Sequence, residues 1–390
     1  MNKQWKQFAD SIKQAYGKSF VPLHEPIFND KEVDYVTDCI RTGWVSSVGS
    51  YVTSFEEQLA RFVGVKRAVA VVNGTAALHI SLKLAGVRED DEVLMPALTF
   101  IATANAVSYL QAIPHFIDVN LETLGVDPFK LDHYLEQITE LRQGALYNKQ
   151  TNRRIKALMP MHTFGHPCMM DELVALCEKY HLVLVEDAAE SLGSFYKGKH
   201  TGSFGEVSAI SFNGNKIITT GGGGAILTDN EEWADYAKHL TTTAKVAHKW
   251  EYVHDEIGYN YRMPNINAAL GCAQLEKVND FLAQKRAVTT YYEKLVSTME
   301  NVKLFTEPAN THSNYWLQTL VIDESTTSIE QLLDFLNAQG IMSRPIWSPM
   351  HKLVMYQNCP RADLTVTEQL CKTVINIPST PISEVKTIEA

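Results

Sequence analysis

Cysteine is scarce: six residues in 390, scattered from Cys39 to Cys371, with no C-x-x-C pair among them. Such spacing excludes a zinc ribbon or a secreted disulfide framework, and a chain of this length buries enough core to need neither. Reduced thiols in a cytoplasmic protein are the expectation. Basic charge is short as well. The 35 Lys and Arg against 45 Asp and Glu leave a net charge of −10, which disfavours nucleic acid and anionic membrane surfaces as partners. The opening segment, MNKQWKQFADSIKQAYGK, has no apolar signal core; Trp5, Phe8, Ile12 and Tyr16 recur instead at helical spacing.

Uninterrupted hydrophobic runs are missing too. Residues 93–117 carry no Asp, Glu, Lys or Arg, yet Pro96, Asn105, Ser108, Gln111 and Pro114 break the run. A spanning helix needs about 20 predominantly apolar residues, so this stretch divides better into strand, helix and strand, a buried βαβ unit. No membrane partner is expected.

What is present is an alternation of short β-branched runs with helical patterns. RAVAVV leads to AALHISLKLAGV, IKALMPMH to MDELVALCEKYH, and then comes LVLVED. Short apolar runs bounded by helices mark parallel strands covered on both faces. Residues from about 65 to 230 therefore read as a mostly parallel, doubly wound α/β layer, closed by two neighbouring strands, SAISFN and GAILTDN. Beyond about residue 250 the texture changes: NINAALGCAQLEKVNDFLAQKRAVTTYYEKLV reads as one long helix starting after Pro264. The expected organisation is an N-terminal helix (1–20), a large α/β domain (21–255) and a linking helix with a smaller C-terminal α+β domain (256–390).

Ligands of parallel sheets sit outside the carboxyl ends of the strands. Asn73-Gly74-Thr75 lies between a strand and a helix, which makes it either a phosphate site or a plain cap formed by Thr75. Asp187 closes LVLVED, as the partner of a protonated nitrogen or as the cap of the next turn. Lys216 sits between apolar neighbours and Gly221–Gly224; it is a surface lysine or, if desolvated, a Schiff-base nucleophile. Ser211 offers a hydroxyl, and Phe100 is either core or a ring for stacking on a planar ligand. Together they describe one ligand, a planar, phosphorylated, protonated heteroaromatic that reacts with an amine. That is pyridoxal phosphate. Competing motifs fail: the Gly193–Lys199 stretch ends in His200 rather than Ser or Thr, and His162 and His166 flank Gly165 off any helix with no third ligand. No metal site is expected.

These residues, with GWVSSVGSYVTSFEEQLARFVGV, PALTFIATANAV, VEDAAES, SFNGNK and GYNYRMPNINAALGCAQLE in that order, resemble the DegT/DnrJ sugar aminotransferases of pyridoxal-phosphate fold type I. The resemblance covers nearly the whole chain. It implies that Lys216 is the Schiff-base lysine and that Asp187 pairs with the pyridine nitrogen. By the same likeness Phe100 stacks on the ring, and Gly74, Thr75 and Ser211 hold the phosphate. Glu190 would lie beside the phenolic oxygen, where many relatives have Gln or His, and Asn260 would reach the phosphate of the neighbouring subunit in a homodimer with shared active sites. The family's Gly-Glu-Gly-Gly reads as four glycines here, so any role of that Glu is absent. Sugar dehydratases of the family replace the lysine with His; retention of Lys216 favours transamination.

The segments LHEPIF and FNGNKIITTGGGGA look most like aminotransferases of legionaminic-acid pathways, with perosamine-type enzymes close behind. The expectation is glutamate-dependent amination of a nucleotide-linked 4-keto-6-deoxy sugar, UDP-linked and 2-acetamido. Arg344, Trp347 and His351 are candidates for the sugar nucleotide. The alternatives are a dehydratase, an aminotransferase of a non-nucleotide ketone, or a regulator that binds the cofactor without turnover.

Overall fold

The computed structural model describes residues 3–382, so the end of the expected C-terminal unit, 383–390, lies outside the described residues. Among the described residues the central sheet has nine strands, seven of them on its main path: β1 (Arg67–Val71), β2 (Glu92–Pro96), β3 (Ile113–Ile117), β4 (Arg154–Leu158), β5 (Val183–Asp187), β6 (Val207–Ser211) and β7 (Gly224–Thr228). Their spatial order is β1–β7–β6–β5–β4–β2–β3. Neighbours from β6 to β3 are parallel, whereas β7 runs against both β1 and β6. The reversal goes with the connection 212–223, which contains no helix, whereas a parallel return is usually made through a helical crossover. The mostly parallel doubly wound layer is as expected.

Helices Gly74–Leu84, Ile101–Tyr109 and Met170–Tyr180 cover the sheet where the sequence periodicity places them. Two features differ from the sequence reading. A hairpin, Thr139–Arg142 with Ala145–Asn148, pairs onto the start of β4; polar residues on its outer side hide its strand character. The expected single long helix is two, Asn265–Leu275 and Val278–Val296. No Gly or Pro marks the break. Side chains at the junction are drawn sideways instead: Glu276 binds Lys31 and the Tyr35 hydroxyl, and Lys277 binds Glu32. All three partners lie on helix Asp30–Thr42, so a tertiary tether overrides a continuous helical period.

The smaller unit is a four-stranded antiparallel sheet, ordered Val302–Leu304, Gln318–Ile322, Val374–Ile377 and Arg344–Pro345. Its core recruits the N-terminal helix Lys3–Tyr16, whose Trp5, Phe8 and Ile12 bury against Val288, Tyr292 and Leu320. Residues near Val21 also join this unit, through bonds to Gly340 and Ser379. The small sheet thereby hangs its Arg344–Trp347 segment over the carboxyl ends of β1, β5 and β6.

Candidate active site

The carboxyl ends of the strands converge on a cavity of about 680 Å³. Gly74, Thr75, Asp187, Glu190, Ser211 and Lys216 line its floor. Phe100, Arg344 and Trp347 line its mouth. His351 is not brought there. It sits in a short 3-10 turn with its Nε2 3.0 Å from Glu368 Oε1, lining a separate hollow with Arg361 and Asp363. The proline-rich segment thus offers two of the three residues proposed from it. Asn260 is also absent from this chain's own cavity; it is exposed, and its amide oxygen accepts from Arg262 at 2.9 and 3.2 Å.

β1 ends in Asn73, which caps the next helix by accepting the Ala76 N–H at 2.8 Å. The cap is therefore Asn73, not Thr75, and the first-turn N–H groups of Gly74 and Thr75 lie beyond the reach of the intrahelical ladder. Ser211, at the end of β6, packs directly on Gly74: a Cβ added there would come within 2.9 Å of the serine Cβ. Glycine is required by that approach, and the result is a concave donor set at a positive helix end, suited to a phosphate dianion.

Asp187 closes β5, almost fully buried. Its Oδ2 accepts the Thr103 hydroxyl at 2.7 Å and its Oδ1 the Ala189 N–H at 3.2 Å, so the turn-capping role is real. No cation bonds it among the described residues, and burial pushes its pKa up. A buried carboxylate aimed into a cavity without a counter-cation is the complement of a protonated ring nitrogen. Phe100, half exposed at 51%, is not core, and its ring lies 6.5 Å from Trp347 in an edge-to-face arrangement. Trp347 in turn rests on Phe164, centroids 4.9 Å apart.

Lys216 Nζ lies 3.4 Å from Glu190 Oε1, with both side chains largely sequestered. Glu190 Oε2 accepts the N–H of Phe164 at 2.9 Å. Phe164 holds a left-handed backbone, φ 55°, a conformation that costs a non-glycine residue about 1–2 kcal/mol and turns its N–H toward the carboxylate. Burial raises the Glu190 pKa from 4.5 to about 7, with Lys216 pulling against it. A raised pKa means that the folded state binds this proton more tightly than the unfolded state does. The apoprotein should therefore lose stability as pH rises from about 4.5 to about 7, by up to roughly 3 kcal/mol if the whole shift counts. Thermal melts of the apoprotein across that range should show the slope, and Glu190→Gln should flatten it.

Three contributors carried no sequence signal. Thr103, which orients Asp187, looks like any helix residue. Asn376 comes from the last small-sheet strand, and Trp316 precedes another; both line the cavity. Trp316 stands 100 positions from Lys216 in the chain, and only the fold joins them.

The residues present fit pyridoxal phosphate: a donor cradle for its phosphate, an unpaired buried carboxylate for its ring nitrogen and a lysine for its aldehyde. A fold-type-I cofactor site is what this geometry defines. The chain belongs to the DegT/DnrJ/EryC1/StrS aminotransferase family, whose model matches residues 26–389. It is a pyridoxal-phosphate-dependent aminotransferase. It is 37% identical to the GDP-perosamine synthase of Escherichia coli O157:H7, over 93% of this chain and 94% of that one. It is also 37% identical to the GDP-perosamine synthase of Caulobacter vibrioides, over 92% and 93% respectively. Among solved structures, the aminotransferase TlmJ from Streptoalloteichus hindustanus superposes with a TM-score of 0.83 at 26% identity, covering 92% of this chain and 93% of that one.

Proposed function

We propose that this enzyme moves the amino group of glutamate to the keto carbon of a nucleotide-linked 4-keto-6-deoxy sugar. The observation that carries this reading is the single cavity in which Lys216 and Asp187 face an open mouth bearing Arg344 and Trp347. When bound, pyridoxal phosphate supplies an aldehyde that carries the amino group and a ring that accepts the electron pair released at the substrate carbon. Asp187 keeps the proton on the ring nitrogen. Gly74, Thr75 and Ser211 anchor the phosphate, and Phe100 covers the ring. Lys216 moves the proton between the two carbons, and Glu190 stabilises the lysine while Nζ holds it. Arg344 supplies positive charge for the diphosphate, and Trp347 a flat apolar surface for the sugar or base.

The likeness to two GDP-perosamine synthases supports a GDP-linked sugar ahead of the UDP-linked 2-acetamido sugar expected from the motifs. The test is incubation of the holoenzyme with glutamate and a panel of GDP-, UDP- and dTDP-linked 4-keto-6-deoxy sugars, read by product mass. Failure to aminate any of them overturns the reading. Gain of an amine by the UDP-linked member alone restores the legionaminic-type assignment.

The reading includes a homodimer in which Asn260 completes the partner's phosphate site. Its support is the exposed position of Asn260 beside Arg262, outside its own chain's cavity. Lys216→Ala and Asn260→Asp variants, each inactive, should regain about a quarter of wild-type activity when mixed in equal amounts with subunit exchange. The arithmetic is simple: half the dimers are mixed, and each has one intact site of two. Exchange without recovery would remove Asn260 from the shared site.

A further inference from the structure

We propose that Trp316 is the positioning residue for Lys216, holding Nζ in place while it carries the transferred proton. The proposal deepens the reading above and rests on Lys216 as its proton carrier. Lys216 Nζ stands 3.7 Å from the centroid of the Trp316 ring, well inside the range of a cation–π contact. The same indole donates its Nε1–H to the carbonyl of Asn215 at 2.6 Å, which fixes the backbone one residue before the lysine. One side chain therefore controls both the root and the tip of Lys216.

Trp316 is itself held at each backbone polar group. Its N–H donates to Asn314 Oδ1 at 2.8 Å, and its carbonyl accepts from Lys285 Nζ at 2.7 Å. Lys285 is fully buried and donates as well to the Ser379 hydroxyl at 2.6 Å, so its amine is spent on anchoring. Asn314 also reaches the other side of the site: its Nδ2 donates to the carbonyl of Glu190 at 2.8 Å. Gly165 makes room for that amide, since a Cβ there would lie 1.8 Å from Asn314 Oδ1. The strap 314–316 is thus hydrogen-bonded to the backbone of Glu190 at one end and to the backbone of Asn215 at the other, where its indole face also meets Lys216 Nζ. It ties together the two backbone positions from which the Glu190 carboxyl and the Lys216 amine extend.

The chemistry explains why an aromatic face is useful at this point. A lysine that takes a proton from one carbon and returns it to another passes through an ammonium, here on a side chain only 13% exposed. An indole face attracts that ammonium without offering a hydrogen-bond acceptor that would trap the proton, and Glu190 supplies the charge. A freely rotating lysine would lose this alignment.

The experiment compares wild type with Trp316→Leu and Trp316→Phe by two readouts. In the apoprotein, acylation of Lys216 by a bulky amine-reactive ester, which releases its alcohol as the amide forms, is followed at the peptide level by mass spectrometry. Loss of the ring both uncovers the amine and removes its partner, so Trp316→Leu should label about tenfold faster. Trp316→Phe keeps a ring but loses the Asn215 bond, and should label about threefold faster. In the holoenzyme, Trp316→Leu should lower kcat about tenfold at unchanged KM for glutamate, with Trp316→Phe in between. Labelling within twofold of wild type in folded Trp316→Leu overturns the proposal. If that variant does not fold, unchanged labelling in Trp316→Phe overturns it instead. Should wild type aminate no sugar nucleotide while the labelling pattern holds, the substrate reading falls and the placement of Trp316 stands.

Discussion

Replacing Lys216 with alanine is expected to reduce amine transfer at least about 10⁴-fold and to leave a folded protein that still binds pyridoxal phosphate non-covalently. Folding survives because the lysine belongs to no hydrophobic cluster; it lies at the edge of the cavity, in the turn between β6 and β7. Binding survives because the phosphate cradle and Asp187 are untouched. What disappears is the amine that receives the aldehyde and carries the proton, and no other lysine lines the cavity among the described residues. Borohydride treatment should fix the cofactor covalently to wild type and not to Lys216→Ala. Fixation mapping to a different lysine would remove Lys216 from its role.

The same substitution leaves Glu190 without its nearest cation. Lys216 is the largest influence holding the carboxyl pKa down against burial, ahead of the Phe164 N–H, so in its absence Glu190 should retain its proton to still higher pH. A neutral Glu190 tolerates burial better than an ionised one, which adds to the expectation that Lys216→Ala folds well.

Legibility in the sequence followed the range of the interactions. Strands such as LVLVED and EVLMPA, and the helices between them, are written in local apolar runs, because parallel strands bury both faces. Gly74, Thr75, Asp187, Ser211 and Lys216 could be proposed as one site because each ends or follows a strand, and strand ends meet on one side of such a sheet. The misses are long-range. The helix break at Glu276–Lys277 depends on Lys31, Glu32 and Tyr35, about 245 residues earlier for the Lys31 contact. Trp316 reaches Lys216 through the small unit, and nothing near either residue announces the meeting. His351 illustrates the opposite error: three polar and aromatic residues within one short segment need not share a cavity, because the chain turns between them.

Asp187→Asn should separate catalysis from stability, in opposite directions. The amide matches the carboxylate in shape. Its oxygen can still accept the Ala189 N–H, and its NH₂ can donate to the Thr103 hydroxyl, which turns round to accept. What it cannot do is keep a proton on the cofactor's ring nitrogen. Losing that charge pair in a buried site should cost about 4 kcal/mol of transition-state stabilisation, a rate loss of about 10³-fold. The apoprotein should respond otherwise. Burial raises the Asp187 pKa, so the folded state favours the protonated acid, and the wild-type apoprotein loses stability as pH climbs from the ordinary 3.8 through the raised value. An amide has no such dependence. At pH 8 the Asp187→Asn apoprotein should melt at or above the wild-type temperature, and that advantage should vanish near pH 4. Bound cofactor reverses the comparison, since only the carboxylate gains a counter-cation; its addition should raise the melting temperature of wild type more than that of the variant. A near wild-type rate in Asp187→Asn, or equal stabilisation of both proteins by cofactor, would take Asp187 out of contact with the ring.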